Sequence, residues 1–330
     1  LRSRMDGNSP KEFRGVEKPV RNFGDQDFGS VDLIKATASS VNTAYFQLGM
    51  EVGPRKVADM AHAAGIPRDV PLQSPQGDVQ AGISLGLYDV HVIDQAVGFA
   101  TFANKGVAVE PIFVKTVHDG RDKIYQAAIV ERRAFDEGVA ADATYAMQQV
   151  VENGTAQRAQ LEGGRPAAGK TGTTTDNFDA WFVGYTPQLS TAVWIGTGRN
   201  ETIDLEDGGE ATGGRVSTGI WKAFMDVALA DQPVEQFPDR ANVGRVRNGK
   251  GVEDFRSARP RTTDEPTASA SAPPPLPTAP PAPVPPPPRP SEPPPPRPSE
   301  PPPSSDPPQP SDPPPSSSAP DPPGGGRSGP

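Results

Sequence analysis

Apolar positions fall first into stretches with helical spacing and then into a close series of strand-like runs. Asp32 to about Gly49 keeps a helical pattern, interrupted by the polar turn Ser39-Ser40-Val41-Asn42. Gly53-Pro54 opens a further helix through Ala64, because the fixed φ of proline suits a first turn and Gly65 supplies a stop. Val90 to Asn104 is apolar on most sides and predicts a buried helix closed by Gly106. Ile112–Val117 and Lys123–Tyr125, joined through Asp119-Gly120, predict a hairpin. Asp136 to Asn153 is again helical and is closed by Gly154. Three strands follow, Ala168–Thr174, Ala180–Tyr185 and Thr191–Gly196, and then an amphipathic helix from Gly219 to Leu229. Residues 1–29, rich in Gly, Asp, Asn, Arg and Pro, read as loop. Helices, then antiparallel strands, then a terminal helix predict an α+β domain with an antiparallel sheet flanked by helices.

Composition divides the chain in two. Residues 1–256 carry the periodic segments and are enough for one sizeable domain. Residues 257–330 are almost entirely Pro, Ser, Ala, Asp, Glu and Arg, and such a segment buries too little apolar surface to offset its ordering entropy. This tail is expected to be disordered. It repeats an octad, Pro285-Pro286-Pro287-Pro288-Arg289-Pro290-Ser291-Glu292, again at Pro293 to Glu300. A polyproline II spacer of ~65 residues reaches roughly 200 Å when extended. The tail reads first as a spacer and second as a ligand for a Pro-recognising partner or a thread through the cell wall.

A net charge of -9 with no basic cluster argues against nucleic acid. With no cysteine, thiol nucleophiles and Cys-ligated metals are excluded. His62, His91 and His118 lack metal-ligand spacing and read as surface or packing residues. The acidic stretch Glu201, Asp204, Glu206, Asp207 and Glu210 reads as a solvated loop, and Trp181, Trp194 and Trp221 as core or sheet-packing aromatics. No cofactor or metal is expected. No apolar run reaches the ~18 residues that span a bilayer.

The chemistry concentrates at Lys170-Thr171-Gly172-Thr173-Thr174. Lys170 supplies a point charge, and Thr171 and Thr173 offer donors to a carboxylate. Gly172 lets a substrate backbone approach the strand, with Thr174 beside it, and the Thr173 N–H can face a developing oxyanion. Upstream, Ser40 and Asn42 lie two apart at a helix boundary, where Ser40 could relay a proton and Asn42 hold a substrate amide. Each motif alone has a plainer reading, as a Thr-rich strand or as helix-capping residues.

In this order, Ser40-Val41-Asn42 followed by Lys170-Thr171-Gly172 resembles the set shared by penicillin-binding proteins and class A β-lactamases. Ala36–Phe46, Ser84-Leu85-Gly86, Phe102-Ala103-Asn104-Lys105-Gly106, Val150–Ala156, Asp179–Pro187 and Gly219–Met225 are similar to further segments of the penicillin-binding transpeptidases. The chain resembles a class A, bifunctional penicillin-binding protein of actinobacterial type over about Asp32 to Leu229. The resemblance implies a penicillin-binding/β-lactamase-like fold with a helical subdomain. It also implies D-Ala-D-Ala stem peptides and β-lactams as ligands, cell-wall or divisome proteins as partners of the tail, and an extracytoplasmic place at the cell wall with an N-terminal membrane anchor. On it, Lys170, Thr171 and Thr173 bind the terminal carboxylate, the Thr173 N–H forms half of an oxyanion hole, and Ser40 and Asn42 assist proton transfer and hold the amide.

One departure stands out. The family's nucleophile lies in Ser-x-x-Lys ahead of Ser-x-Asn, and no Ser-x-x-Lys occurs in the 330 residues. The chain therefore reads as the C-terminal part of a longer synthase, with the nucleophile, the glycosyltransferase and the anchor expected ahead of Leu1. A non-catalytic penicillin-binding-like scaffold is the second reading. A β-lactamase is the third, because Glu110, Glu131 and Glu137 sit in no recognisable deacylation loop and the tail has no place there.

Overall fold

Gly, Pro and capping residues set the helix ends. A computed structural model of the chain describes residues 1–249 apart from 198, 200 and 204. The tail expected over 257–330 lies outside the described residues, as does Asp204 of the acidic stretch. Helix α1 (Leu33–Ala38) starts where Asp32 Oδ1 accepts the Lys35 N–H at 2.8 Å, a side-chain N-cap. Helix α2 (Asn42–Val52) resumes after the polar turn. Helix α3 (Pro54–Ala64) runs between Gly53 at φ 100° and Gly65 at φ 135°, conformations that disfavour a side chain. Helices α4 (Val92–Ala103), α5 (Glu137–Asn153) and α6 (Thr218–Ala228) follow, the last entered through a π-helical turn over Gly213–Ser217.

Among the described residues the strands form four antiparallel sheets. Strand β1 (Arg4–Asp6) pairs with β2 (Ser30–Asp32), and β3 (Val107–Val109) with β6 (Glu131–Arg133). Strand β4 (Thr116–Asp119) pairs with β5 (Asp122–Gln126). The principal sheet has the order β7 (Ala168–Thr173), β8 (Asp179–Tyr185), β9 (Ser190–Gly196), so β7 is an edge strand.

Period-2 alternation along β8 sends its side chains to two cores. Phe182 meets Trp221 of α6 edge-on at 5.1 Å, with Val150, Met225 and Leu229 around them. On the other face Tyr185 packs against Phe99 of α4 and Met147 of α5, its hydroxyl 2.8 Å from Thr144 Oγ1. Each fully buried large side chain contributes roughly 2–3 kcal/mol. A helical subdomain forms where Met5 and Val31 of the β1–β2 pair pack on Ala36, Val41 and Ala44.

Two expectations need correction. Residues 1–29 are not wholly loop, since Arg4–Asp6 pairs with Ser30–Asp32, a partner too distant in sequence to be read locally. The hairpin begins at Thr116 rather than Ile112: Pro111 has no N–H to pair, and the first bond of this ribbon is Ala127 N–H on Lys115 O. Its two-residue loop is Gly120-Arg121, with Gly120 at φ 58°. The tryptophans pack as expected: Trp221 is fully buried, and Trp181 and Trp194 pair across β8 and β9 with ring centroids 6.1 Å apart, the Trp194 indole N–H on Asp179.

After α6 the chain returns across the domain. Asn242 and Val243 donate backbone N–H groups to the Asp142 carboxylate at 2.8 and 2.9 Å. Gly249 N–H reaches Arg4 O at 2.8 Å, and Arg4 N–H reaches Asn248 Oδ1 at 3.1 Å.

Candidate active site

The turn that ends α1 explains where Ser40 points. Val41 N–H bonds to Ala36 O at 2.9 Å and Ser40 N–H to Thr37 O at 3.2 Å, the paired bonds of a Schellman motif with Ser40 at its left-handed position. Ser40 has φ 53° there, where glycine is usual, and a non-glycine residue is strained by about 1 kcal/mol or more. Its hydroxyl has a use for that geometry, since Lys170 Nζ donates to Ser40 Oγ at 2.7 Å. Residues 130 apart in sequence thus meet across the gap between the helical subdomain and the sheet.

Lys170 also donates to Thr171 O at 2.9 Å. Its side chain is half-buried, and desolvation pushes the ammonium down to about 8 from 10.5. The group remains mostly charged at neutral pH.

Thr174 N–H donates to Asp179 O at 3.2 Å. Backbone groups alternate in direction along an antiparallel pair, so the N–H groups of Thr173 and Thr171 face the open edge of β7. The Thr173 hydroxyl accepts Gly213 N–H at 3.1 Å and keeps its own proton to give. Thr171 Oγ1 lies 2.7 Å from Thr155 Oγ1. Thr174 Oγ1 accepts Asp179 N–H at 2.8 Å and so serves the β7–β8 connection. A Cβ on Gly172 would come within 3.1 Å of Trp181 Cβ, so the bare Cα is used by a neighbour inside the fold.

Ser40 and Lys170 are therefore brought together, with Thr171, Gly172 and Thr173 along the adjoining edge. Asn42 is not joined to them, because its Nδ2 donates to Arg21 O at 2.9 Å. That contact belongs to a support the sequence did not disclose. Asn22 Oδ1 accepts both Thr43 N–H (3.1 Å) and Thr43 Oγ1 (3.2 Å), capping the start of α2 from 21 residues away. Gly154 and Gly213 were also missed. A Cβ on Gly154 would sit 2.2 Å from Ala38 O, and one on Gly213 2.1 Å from Trp181 O, so both let backbone press against the site's walls. The signals available were a glycine directly after α5 and the Gly213-Gly214 pair.

No group of three or more potential metal ligands occurs among the described residues. What the arrangement offers is a strand edge with outward N–H groups, hydroxyl donors, and a cation shared with a serine hydroxyl.

That geometry agrees with the family assignment. Residues 9–226 match the penicillin binding protein transpeptidase domain, and the chain belongs to that family. Among its relatives is penicillin-binding protein 1A of Mycolicibacterium smegmatis, 35% identical over 79% of this chain and 34% of that protein. Penicillin-binding protein 1A of Mycobacterium tuberculosis is 36% identical over 72% of this chain and 31% of its own length. The chain thus spans about a third of the length of these curated relatives. A solved structure of the M. tuberculosis PonA1 protein in complex with penicillin V is similar, with a TM-score of 0.65 and 35% identity over 71% of this chain and 65% of that one.

Proposed function

We propose that this chain is a peptidoglycan D,D-transpeptidase segment of a bifunctional cell-wall synthase, held outside the cytoplasm. The observation that carries the reading is the 2.7 Å contact of Lys170 Nζ with Ser40 Oγ beside the open edge of β7. In this reading the terminal carboxylate of a D-Ala-D-Ala stem peptide, or of a β-lactam, lies against Lys170, Thr171 and Thr173. Thr174 follows Thr173 just past the end of β7, and Asn42 would hold the substrate amide only by exchanging its contact with Arg21 O. A serine hydroxyl passes its proton to the lysine of its own Ser-x-x-Lys motif and attacks the carbonyl of the penultimate D-Ala, and the Thr173 N–H stabilises the resulting oxyanion. The peptide C–N bond breaks, and the departing D-Ala takes its proton through the Lys170–Ser40 pair. An amine of a neighbouring stem peptide then attacks the ester and regenerates the serine.

The attacking serine belongs in this reading to a Ser-x-x-Lys ahead of Leu1. The two mycobacterial relatives share only 34% and 31% of their lengths with this chain, which leaves room for such a motif elsewhere in proteins of that size. No helix among the described residues is long and apolar enough to cross a membrane. Anchoring is assigned to the same upstream portion.

The test is to express the complete gene and label it with a fluorescent penicillin. The expected result is one ester-linked adduct on an upstream serine, with none on the 330-residue chain alone. A complete gene that starts near Leu1, or a full-length product that takes no label, would sink the proposal. The absence of Ser-x-x-Lys from these residues favours the second reading, a non-catalytic penicillin-binding-like module, and the same experiment would then support it.

A further inference from the structure

Thr155 has no role in the reading above, yet it touches both walls of the groove. Its N–H donates to Ala38 O at 3.0 Å, two residues before Ser40, and its hydroxyl lies 2.7 Å from that of Thr171. The fold does not need that hydroxyl contact. The segment is already held by Thr155 N–H on Ala38 and by Ala156 N–H on Val150 O at 2.9 Å. Gly214 packs against it as well, since a Cβ there would meet Thr155 O at 2.5 Å. Thr155 is exposed and Thr171 half-buried, so both hydroxyls would otherwise be served by water.

What the contact does accomplish is orientation. A threonine hydroxyl has one proton and two acceptor positions. Among the described residues, no partner of the Thr155 hydroxyl other than Thr171 is seen, so Thr155 can spend its proton on Thr171 Oγ1. Thr171 then has an acceptor position filled and its own proton free for a ligand. We infer that Thr155 is a positioning residue that makes Thr171 a hydrogen-bond donor to an anionic ligand terminus. This deepens the proposed function and rests on its carboxylate site.

The experiment measures binding of an Nα-acylated peptide ending in D-Ala-D-Ala, and of the same peptide as its C-terminal amide, to the 330-residue chain. The unmodified chain is expected to prefer the acid. Thr155→Val, which keeps the shape and removes the hydroxyl, is expected to lose roughly fivefold of that preference with little change for the amide. Thr155→Ser is expected to restore the preference, which a purely structural role for the methyl-bearing side chain would not produce. A preference kept intact in Thr155→Val, or not restored by Thr155→Ser, overturns the role of Thr155 alone. Equal affinity of the unmodified chain for acid and amide overturns the carboxylate site and this inference with it.

Discussion

Replacing Lys170 with methionine separates binding from stability, because the two respond with opposite signs. The fall of the Lys170 pKa from 10.5 to about 8 sets about 3 kcal/mol against the charged form, at ~1.4 kcal/mol per pH unit. Partial exposure screens some of that penalty. The hydrogen bonds to Ser40 Oγ and Thr171 O contribute about 1 kcal/mol each and are lost in the variant. Lys170→Met is therefore expected to be about 1 kcal/mol more stable at pH 7, raising Tm by roughly 2–4 °C. Binding of the D-Ala-D-Ala acid should meanwhile weaken about 30- to 150-fold, the loss of a charge-assisted bond of roughly 2–3 kcal/mol. Between about pH 8 and 10.5 the unfolded chain binds the Lys170 proton more tightly than the folded one. Wild-type stability should therefore gain a contribution as pH rises through that window. The gap to Lys170→Met should close accordingly. Thermal unfolding of both proteins at pH 7 and pH 10, with calorimetric titration at pH 7, decides the matter. A variant less stable than wild type at pH 7, or a gap that does not shrink by pH 10, would refute the desolvation argument.

Ser40→Gly should relieve the left-handed strain at φ 53° while Ser40→Ala retains it, so chemical denaturation should find the glycine variant more stable by about 1 kcal/mol. Both should bind the acid peptide more weakly than wild type, and an equal stability for the two would remove strain from the account. Gly154→Ala places a methyl 2.2 Å from Ala38 O, requiring a shift of about 1 Å in the turn that carries Ser40. Its expected cost is about 2 kcal/mol, or a Tm lower by roughly 4–8 °C, with weaker peptide binding; unchanged values for both would show that the turn gives way freely. Asn22→Ala removes the buried cap of α2 and its donations to Gly7 O and Gln26 O, both 2.9 Å. Urea unfolding should reveal a loss of roughly 2–4 kcal/mol, whereas a loss below about 0.5 kcal/mol would mean that water replaces the cap.

Glycine and proline carried most of the legible fold. Gly53-Pro54 and Gly65 bound α3 as read, and the sheet strands Ala168–Thr173, Asp179–Tyr185 and Ser190–Gly196 sit within a residue of their expected limits. Their ends depend on local backbone conformation, which sequence states directly. The strand Arg4–Asp6 and the cap by Asn22 depend on partners more than twenty residues away, and nothing local announces them. The same division holds at the site. Lys170 and Ser40 were readable as motifs, but the left-handed conformation that aims Ser40 arises from the Schellman bonds and from a lysine on another element. Asn42 shows the converse case: its amide turns to Arg21 O, a contact no spacing rule would suggest.

The return of the chain to β1 has a mechanical meaning. Gly249 is tied to Arg4 O, and Arg4 N–H to Asn248, so the last described residues lie beside the first strand. A pull on the chain beyond that point would load the β1–β2 ribbon in shear or peel it away before reaching β7. Because Met5 and Val31 of that ribbon pack on Val41, the residue after Ser40, the load would arrive first at the serine side of the groove. The lysine side rests on a different core, built around Phe182 and Trp221. Tension along the chain is therefore expected to reach the Ser40 side of the groove, through Val41, before the Lys170 side.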